Sequence, residues 1–377
     1  MRCGLSARSA FLFFLACATT VVHGQAGVEL TELPVPYYSG SANPNNTSVS
    51  LWGNRALVRS DTGPAYLFER QTADTWIKVD ELVPSSLAGC YSVSLSCDRA
   101  LVSTLLPEAA YLFERQSNGA WVEVATLTAN DGPDATFGRA VSLSGGRALV
   151  GSVDSNPDPA IGLGSAYVFE RQSSGDWIEV GKLPGTTGPG NDFFGRSVSL
   201  SCNRALVGDN NAASVFERQS GGAWVEVATL VEVSSLGAFG FSVSLSGDRA
   251  LVGAPDNNPT SAAYVFERQP LGAWDEVAKL VATNVAGFDL FGWSVSLSGG
   301  RALVGDPDYI GPGIAYMFER QLGAWVEVAT LMASDVNTSG FGNSVSLSGA
   351  RALVGPGFSE YAYLFARSGC CGRVYAP

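Results

Sequence analysis

Histidine is all but missing from this 377-residue chain: there is one, His23. Histidine is the usual general base near neutral pH and the commonest metal ligand. A chain with none beyond position 23 therefore excludes Ser-His-Asp and Cys-His hydrolysis and His-ligated zinc. Cysteine is scarce too, at seven residues, and the spacing forms no disulfide framework. Beyond residue 24 there are Cys90, Cys97, Cys202, Cys370 and Cys371, an odd number that leaves at least one unpaired. Lys and Arg total 23 against 35 acids, a net charge of −12, with no basic cluster. Nucleic-acid binding draws on such clusters to displace counterions, so it is excluded as well. No apolar run reaches the roughly 20 residues that span a bilayer.

The longest such run, residues 11–22 (FLFFLACATTVV), follows Arg2 and Arg8 and ends near Val22-His23-Gly24. A basic start, a short apolar stretch and a small residue are the pattern of a secretory signal cleaved before Gln25. Residues 1–24 are thus expected to be removed, with His23, and the remainder to be secreted without a transmembrane segment. Secretion brings N-glycosylation into play at Asn45 or Asn46, which carry two overlapping sequons, and at Asn337.

What the chain has in abundance is repetition. Arg55, Arg99, Arg147, Arg204, Arg249, Arg301 and Arg351 each open R-A-L-V, at spacings of 44 to 57 residues. Seven copies at this period mean a repeat architecture. A full copy holds four β-type runs, as in SVSL (242–245), RALV (249–252), AYVFE (263–267) and WDEVAKL (274–280). Two-residue connections such as Gly247-Asp248 force hairpins, so each copy is a four-stranded antiparallel meander. A four-stranded sheet cannot bury both faces alone, and a seven-bladed β-propeller is the economical packing. Cys97 and Cys202, in SLSCDR and SLSCNR, fall at equivalent places in non-adjacent blades, too far apart to bridge.

The seventh copy lacks its fourth strand, but residues 27–33 (GVELTEL) match WVEVATL and are expected to supply it. The ring, residues 25–367, would then close noncovalently and leave few exposed edges, followed by a tail, 368–377. The arginines and glutamates present in every copy read as structural: Arg249 and its counterparts pairing with carboxylates or carbonyls at the turns, Glu267-Arg268 and theirs pairing across strands at a hairpin end.

Phe-Gly at 137–138, 194–195, 239–240, 291–292 and 341–342, with Gly253-Ala254-Pro255, resembles the FG-GAP repeat family, whose repeats form the propeller of integrin α-chain heads. The resemblance implies an all-β seven-bladed propeller and an extracellular binding or adhesion role. The family's cation-binding members carry D-x-[DN]-x-[DN]-G between the first two strands; here that connection is a two-residue turn, which cannot supply the six to eight oxygens of calcium. The first two copies also depart, with Asn45-Asn46 and Gly89-Cys90 in place of Phe-Gly.

In a meander the connections alternate between the two ends of the strands. The constant turns therefore share one face and the variable loops the other. Variable loops on a rigid ring are where binding surfaces form, and here Asp154, Asp158, Asp256, Asp306 and Asp308 lie in three loops free of Lys and Arg. This loop face is expected to bind an extracellular protein, a glycan or, weakly, Ca²⁺, with no other cofactor. The rival reading is a secreted carboxylate-based glycoside-cleaving enzyme, since paired acids need no histidine.

Overall fold

The repeat's shortest connection sets its geometry. Between first and second strands a two-residue turn begins with a residue at φ 53° to 61°: Gly53, Cys97, Gly145, Cys202, Gly247, Gly299 and Gly349. Five are glycine, which adopts this conformation without steric cost. Cys97 and Cys202 stand where the other blades have glycine, and both thiols are free and exposed. Cys97→Gly and Cys202→Gly are each expected to stabilise the protein by up to about 1 kcal/mol, read as a higher urea midpoint.

The computed structural model describes residues 20–21, 28–35 and 47–367, the last with gaps at 60–62, 73–74, 87–88, 133–135, 154–163, 186–192, 233–237, 256–260, 284–289, 309–310, 335–339 and 356–358. Among the described residues there is no helix. Seven four-stranded antiparallel blades form a β-propeller. Blade 1 comprises Val49–Trp52, Arg55–Arg59, Ala65–Arg70 and Trp76–Leu82. Blade 7 comprises Val345–Ser348, Arg351–Val354, Tyr361–Arg367 and, from the other end of the chain, Val28–Pro34. That N-terminal strand is the missing fourth strand, pairing with Leu33 opposite Ala362 and Leu30 opposite Phe365. A two-residue strand, Thr20–Val21, lies outside it, within the segment expected to be cleaved.

The first strand of each blade is a sheet edge, so half its N–H groups point away from its own sheet and require partners. The S-V-S-L-S phrase supplies them. Leu51 N donates to Ser346 Oγ, Leu95 to Ser50, Leu143 to Ser94, Leu200 to Ser142, Leu245 to Ser199, Leu297 to Ser244 and Leu347 to Ser296, all at 2.8 to 2.9 Å. This closed ring of bonds, each typically worth about 1 kcal/mol net, places the first strands around the axis. The alternating Val and Leu point into the seams instead, so one strand uses its two faces for two jobs.

Seven apolar clusters fill the seven seams. One joins Leu206, Val215 and Leu230 of blade 4 to Phe239, Val252 and Tyr264 of blade 5; the closing one joins Leu33, Leu353 and Leu364 to Val49, Val58 and Phe68. The Phe-Gly phenylalanine is the centrepiece: Phe239 is fully buried, with its ring 5.5 Å from Tyr264 and 6.1 Å from Phe266.

Candidate functional site

The constant face is occupied with holding itself together. Each arginine that opens a second strand bridges to the next blade. Arg204 Nε lies 2.7 Å from Glu217 Oε1 while its Nη1 donates to Gly247 O at 3.1 Å, and the series of turn contacts runs on to Arg351, which donates to Gly53 O at 3.0 Å. The arginine ending the third strand behaves differently from the expectation of a pair within its own hairpin. Arg268 crosses the seam to Glu217 of the preceding blade, at 2.9 Å, and Arg171 and Arg218 do the same with Glu114 and Glu170. The reason is geometric: each glutamate leans toward the seam, within reach of both blades. Burial opposes ionisation of Glu114, but bonds from Arg99 and Arg171 outweigh it and hold its carboxyl below the usual range. Glu170 is held low in the same way by Arg218 and Arg147.

The opposite face is where the repeat stops repeating. The residue just after the Phe-Gly position, immediately before the axial strand, is in blade order Thr47, Tyr91, Arg139, Arg196, Phe241, Trp293 and Asn343. Because the first strands ring the axis, these seven circle its mouth; Asn343 Nδ2 closes the circle onto Thr47 Oγ1 at 3.1 Å. Tyr91 has guanidinium groups within cation–π range, Arg59 at 5.5 Å and Arg139 at 5.3 Å. Arg196 lies 3.7 Å over Phe241, whose ring centroid is 4.4 Å from that of Trp293. Between the two groups is a cavity of about 190 Å³ lined by Thr136, Arg139, Val153, Phe193 and Arg196.

Arg139 is exposed and among the described residues has no carboxylate partner. It differs in this from the repeated arginines Arg55, Arg99, Arg147, Arg204, Arg249 and Arg301, each held by a glutamate. Arg59 shows how a departure from the repeat feeds this mouth. It replaces the glycine of G-A-P, is buried, and donates through Nε to the carbonyl of Cys90. Cys90 itself is buried, which pushes its thiol up to about 12, so it is an inert part of the wall.

The sequence-predicted acids fall elsewhere. Asp306 ends a second strand and accepts from Leu290 N at 3.0 Å, bracing the link into its own blade. Asp308 follows it, and its backbone carbonyl accepts from Gly340 N at 2.8 Å. Asp154, Asp158 and Asp256, and the sequons Asn45, Asn46 and Asn337, lie outside the described residues. Among the described residues no three His, Cys, Asp or Glu side chains gather as a metal site. Sequence reasoning missed the axial mouth because it searched the loops; the signal was a variable column directly after Phe-Gly, inside a largely constant phrase.

One pair of acids has the differing environments that acid–base chemistry uses. Burial, and then the charge of Glu232, raise the pKa of Glu276, while Glu232 accepts from Tyr264 Oη and lies 3.5 Å from Lys279 Nζ. The same Tyr, acid and Lys arrangement recurs in blade 3 as Tyr167, Asp131 and Lys182. Recurrence in two blades marks it as a brace between the fourth strand and the preceding link.

The family model for the FG-GAP repeat matches residues 121–169, 224–266, 274–318 and 325–365. Each match starts at the fourth strand of one blade and ends in the third strand of the next, so the sequence repeat straddles the seam. A crystal structure of a protein from Lactobacillus plantarum is similar in fold, with a TM-score of 0.53 at 14% identity over 76% of this chain and 84% of that one. Among curated protein sequences nothing matches.

Proposed function

Because this chain carries FG-GAP repeats on a seven-bladed β-propeller, we propose that it is a secreted, noncatalytic binding module that engages its extracellular partner, a protein or a glycan, at the axial mouth of the variable face. The observation that supports this most directly is Arg139, exposed, with no carboxylate partner among the described residues, at the edge of a cavity that Phe193 also lines. Arginine and large aromatics are the side chains that dominate binding energy at interfaces. Guanidinium groups beside aromatic rings, Arg139 beside Tyr91 and Arg196 beside Phe241, suit an anionic group carried on a flat or ring-shaped body, and a carboxylated or sulfated sugar has both. No helix among the described residues is long and apolar enough to cross a membrane.

The test is an array of carboxylated, sulfated and neutral glycans, beside a pull-down from the extracellular fraction and a hydrolase panel. Anionic ligands are expected to bind without turnover, more weakly as salt rises. Arg139→Ala and Arg196→Ala are each expected to lower affinity about 10-fold or more with the unfolding midpoint unchanged for Arg139→Ala. Binding that ignores both substitutions and ionic strength would remove the mouth as the site. Turnover would favour the glycosidase reading.

A further inference from the structure

The outer strands of blades 1 to 6 share an irregularity. In each, one valine is passed over where the fourth strand pairs with the third: Val79, Val124, Val180, Val227, Val277 and Val328. Such a bulge bends the strand and breaks the ladder, which keeps an exposed edge from recruiting another chain.

Blade 7 lacks the bulge. Val28–Pro34 pairs residue for residue with Tyr361–Arg367, without a break. Val35 N donates to Glu360 O at 2.6 Å, so by the alternation of an antiparallel ladder Leu33 and Thr31 also turn their amides inward, while Glu32, Leu30 and Val28 turn theirs outward. Pro34, the next residue on the outward side, has no N–H and ends the edge. A strand is already seated there: Val21 and Thr20 lie opposite Leu30 and Thr31 as an antiparallel fifth strand. Among the described residues no other blade carries one. Removal of residues 1–24, as expected of a secretory signal, leaves that place open.

We infer that the outer edge of blade 7 is a docking site for an extended segment of a partner protein, added antiparallel as a fifth strand, rich in β-branched residues and basic in charge. The outward backbone groups of Val28, Leu30 and Glu32 supply the ladder, as in other cases of strand addition, and β-branched side chains fit its pleated surface. Residues 25–35 contain Glu29 and Glu32 and no Lys or Arg, in a chain of net charge −12. That balance favours a cationic strand. It also argues against a second copy as the occupant, because pairing two such edges would bring four glutamates into one short ladder with no cation. The edge lies at the rim of the ring and stands independently of the ligand proposed at the axial mouth.

The experiment uses the mature chain beginning at Gln25 and short labelled peptides of alternating Thr and Val with Lys at both ends, read by fluorescence anisotropy. Binding is expected, and should weaken about 10-fold or more when alternate peptide amides are N-methylated. Replacing the terminal Lys by Glu, or raising the salt, should weaken it about 3-fold or more. On binding, amide hydrogen exchange should slow at Leu30 and Glu32 and stay unchanged at Thr31 and Leu33. A valine inserted between Leu30 and Thr31 copies the bulge of the other six blades, and should keep the ring while lowering affinity about 10-fold or more. Binding that survives N-methylation, equal affinity of Lys- and Glu-ended peptides, no slowing at Leu30 and Glu32, or full affinity of the folded inserted chain would each overturn the inference. So would no binding at about 1 mM peptide, or a dimer of the chain alone that the inserted valine abolishes, which would give the edge to a second copy. Should the inserted chain fail to fold, the N-methylated peptide and the exchange pattern still decide, since neither needs a variant.

Discussion

Gly240→Ala is expected to cost about 3 kcal/mol or more and to open the seam between blades 4 and 5, whereas Gly247→Ala, seven residues on, should cost only about 1 kcal/mol. Both glycines have positive φ, +95° and +61°. The difference is space. A Cβ on Gly240 would lie 2.2 Å from the carbonyl oxygen of Ala212 and 2.7 Å from that of Asp209, backbone atoms of the preceding blade that cannot step aside, while a Cβ on Gly247 meets nothing within 4 Å. The chain itself has made the second substitution twice, at Cys97 and Cys202, and folds with φ 55° and 53° there. Close approach at Gly240 is also what lets Phe239 reach the floor of the seam, so the loss should propagate to the Phe239, Tyr264 and Phe266 cluster. Urea unfolding of the two variants checks this; equal midpoints would mean that the backbone relaxes at no cost.

Deleting residues 25–34 is expected to abolish the stable monomeric ring. The strand Val28–Pro34 is the fourth of blade 7, and without it the strand Tyr361–Arg367 becomes a bare edge open to pairing with other chains. Leu30 and Leu33 leave water almost completely in the seams they fill, with 4% and 0% exposure. Leu33→Ala alone should cost about 2–5 kcal/mol. A synthetic peptide of residues 25–35 added to the truncated chain is expected to restore its unfolding transition, because the closure is noncovalent. A deletion that melts with the intact protein would show that the ring is held by the remaining strands alone. Cleavage before Gln25 leaves this strand whole, so export and ring closure are compatible.

The sequence by itself determined the architecture. Seven R-A-L-V phrases, two-residue turns and period-two runs specify seven meanders, and the match of GVELTEL to WVEVATL specifies which strand completes the last. These are local signals, written in residues that are near neighbours along the chain or copies of one another. The structural role of the repeated arginines was legible for the same reason. What only the tertiary structure decided is whatever depends on contacts between blades. The serines of S-V-S-L-S read as ordinary strand residues until the ring shows each one accepting an N–H from the axial strand of the next blade. Sequence adjacency places Arg268 in its own hairpin and says nothing of the seam, across which it meets Glu217 at 2.9 Å. The axial mouth is the strongest case. Tyr91, Arg139, Arg196, Phe241 and Trp293 are spread over some 200 residues, and circular closure alone makes them neighbours. Repetition fixes where a position falls in its blade, and the radius of the ring fixes what it meets.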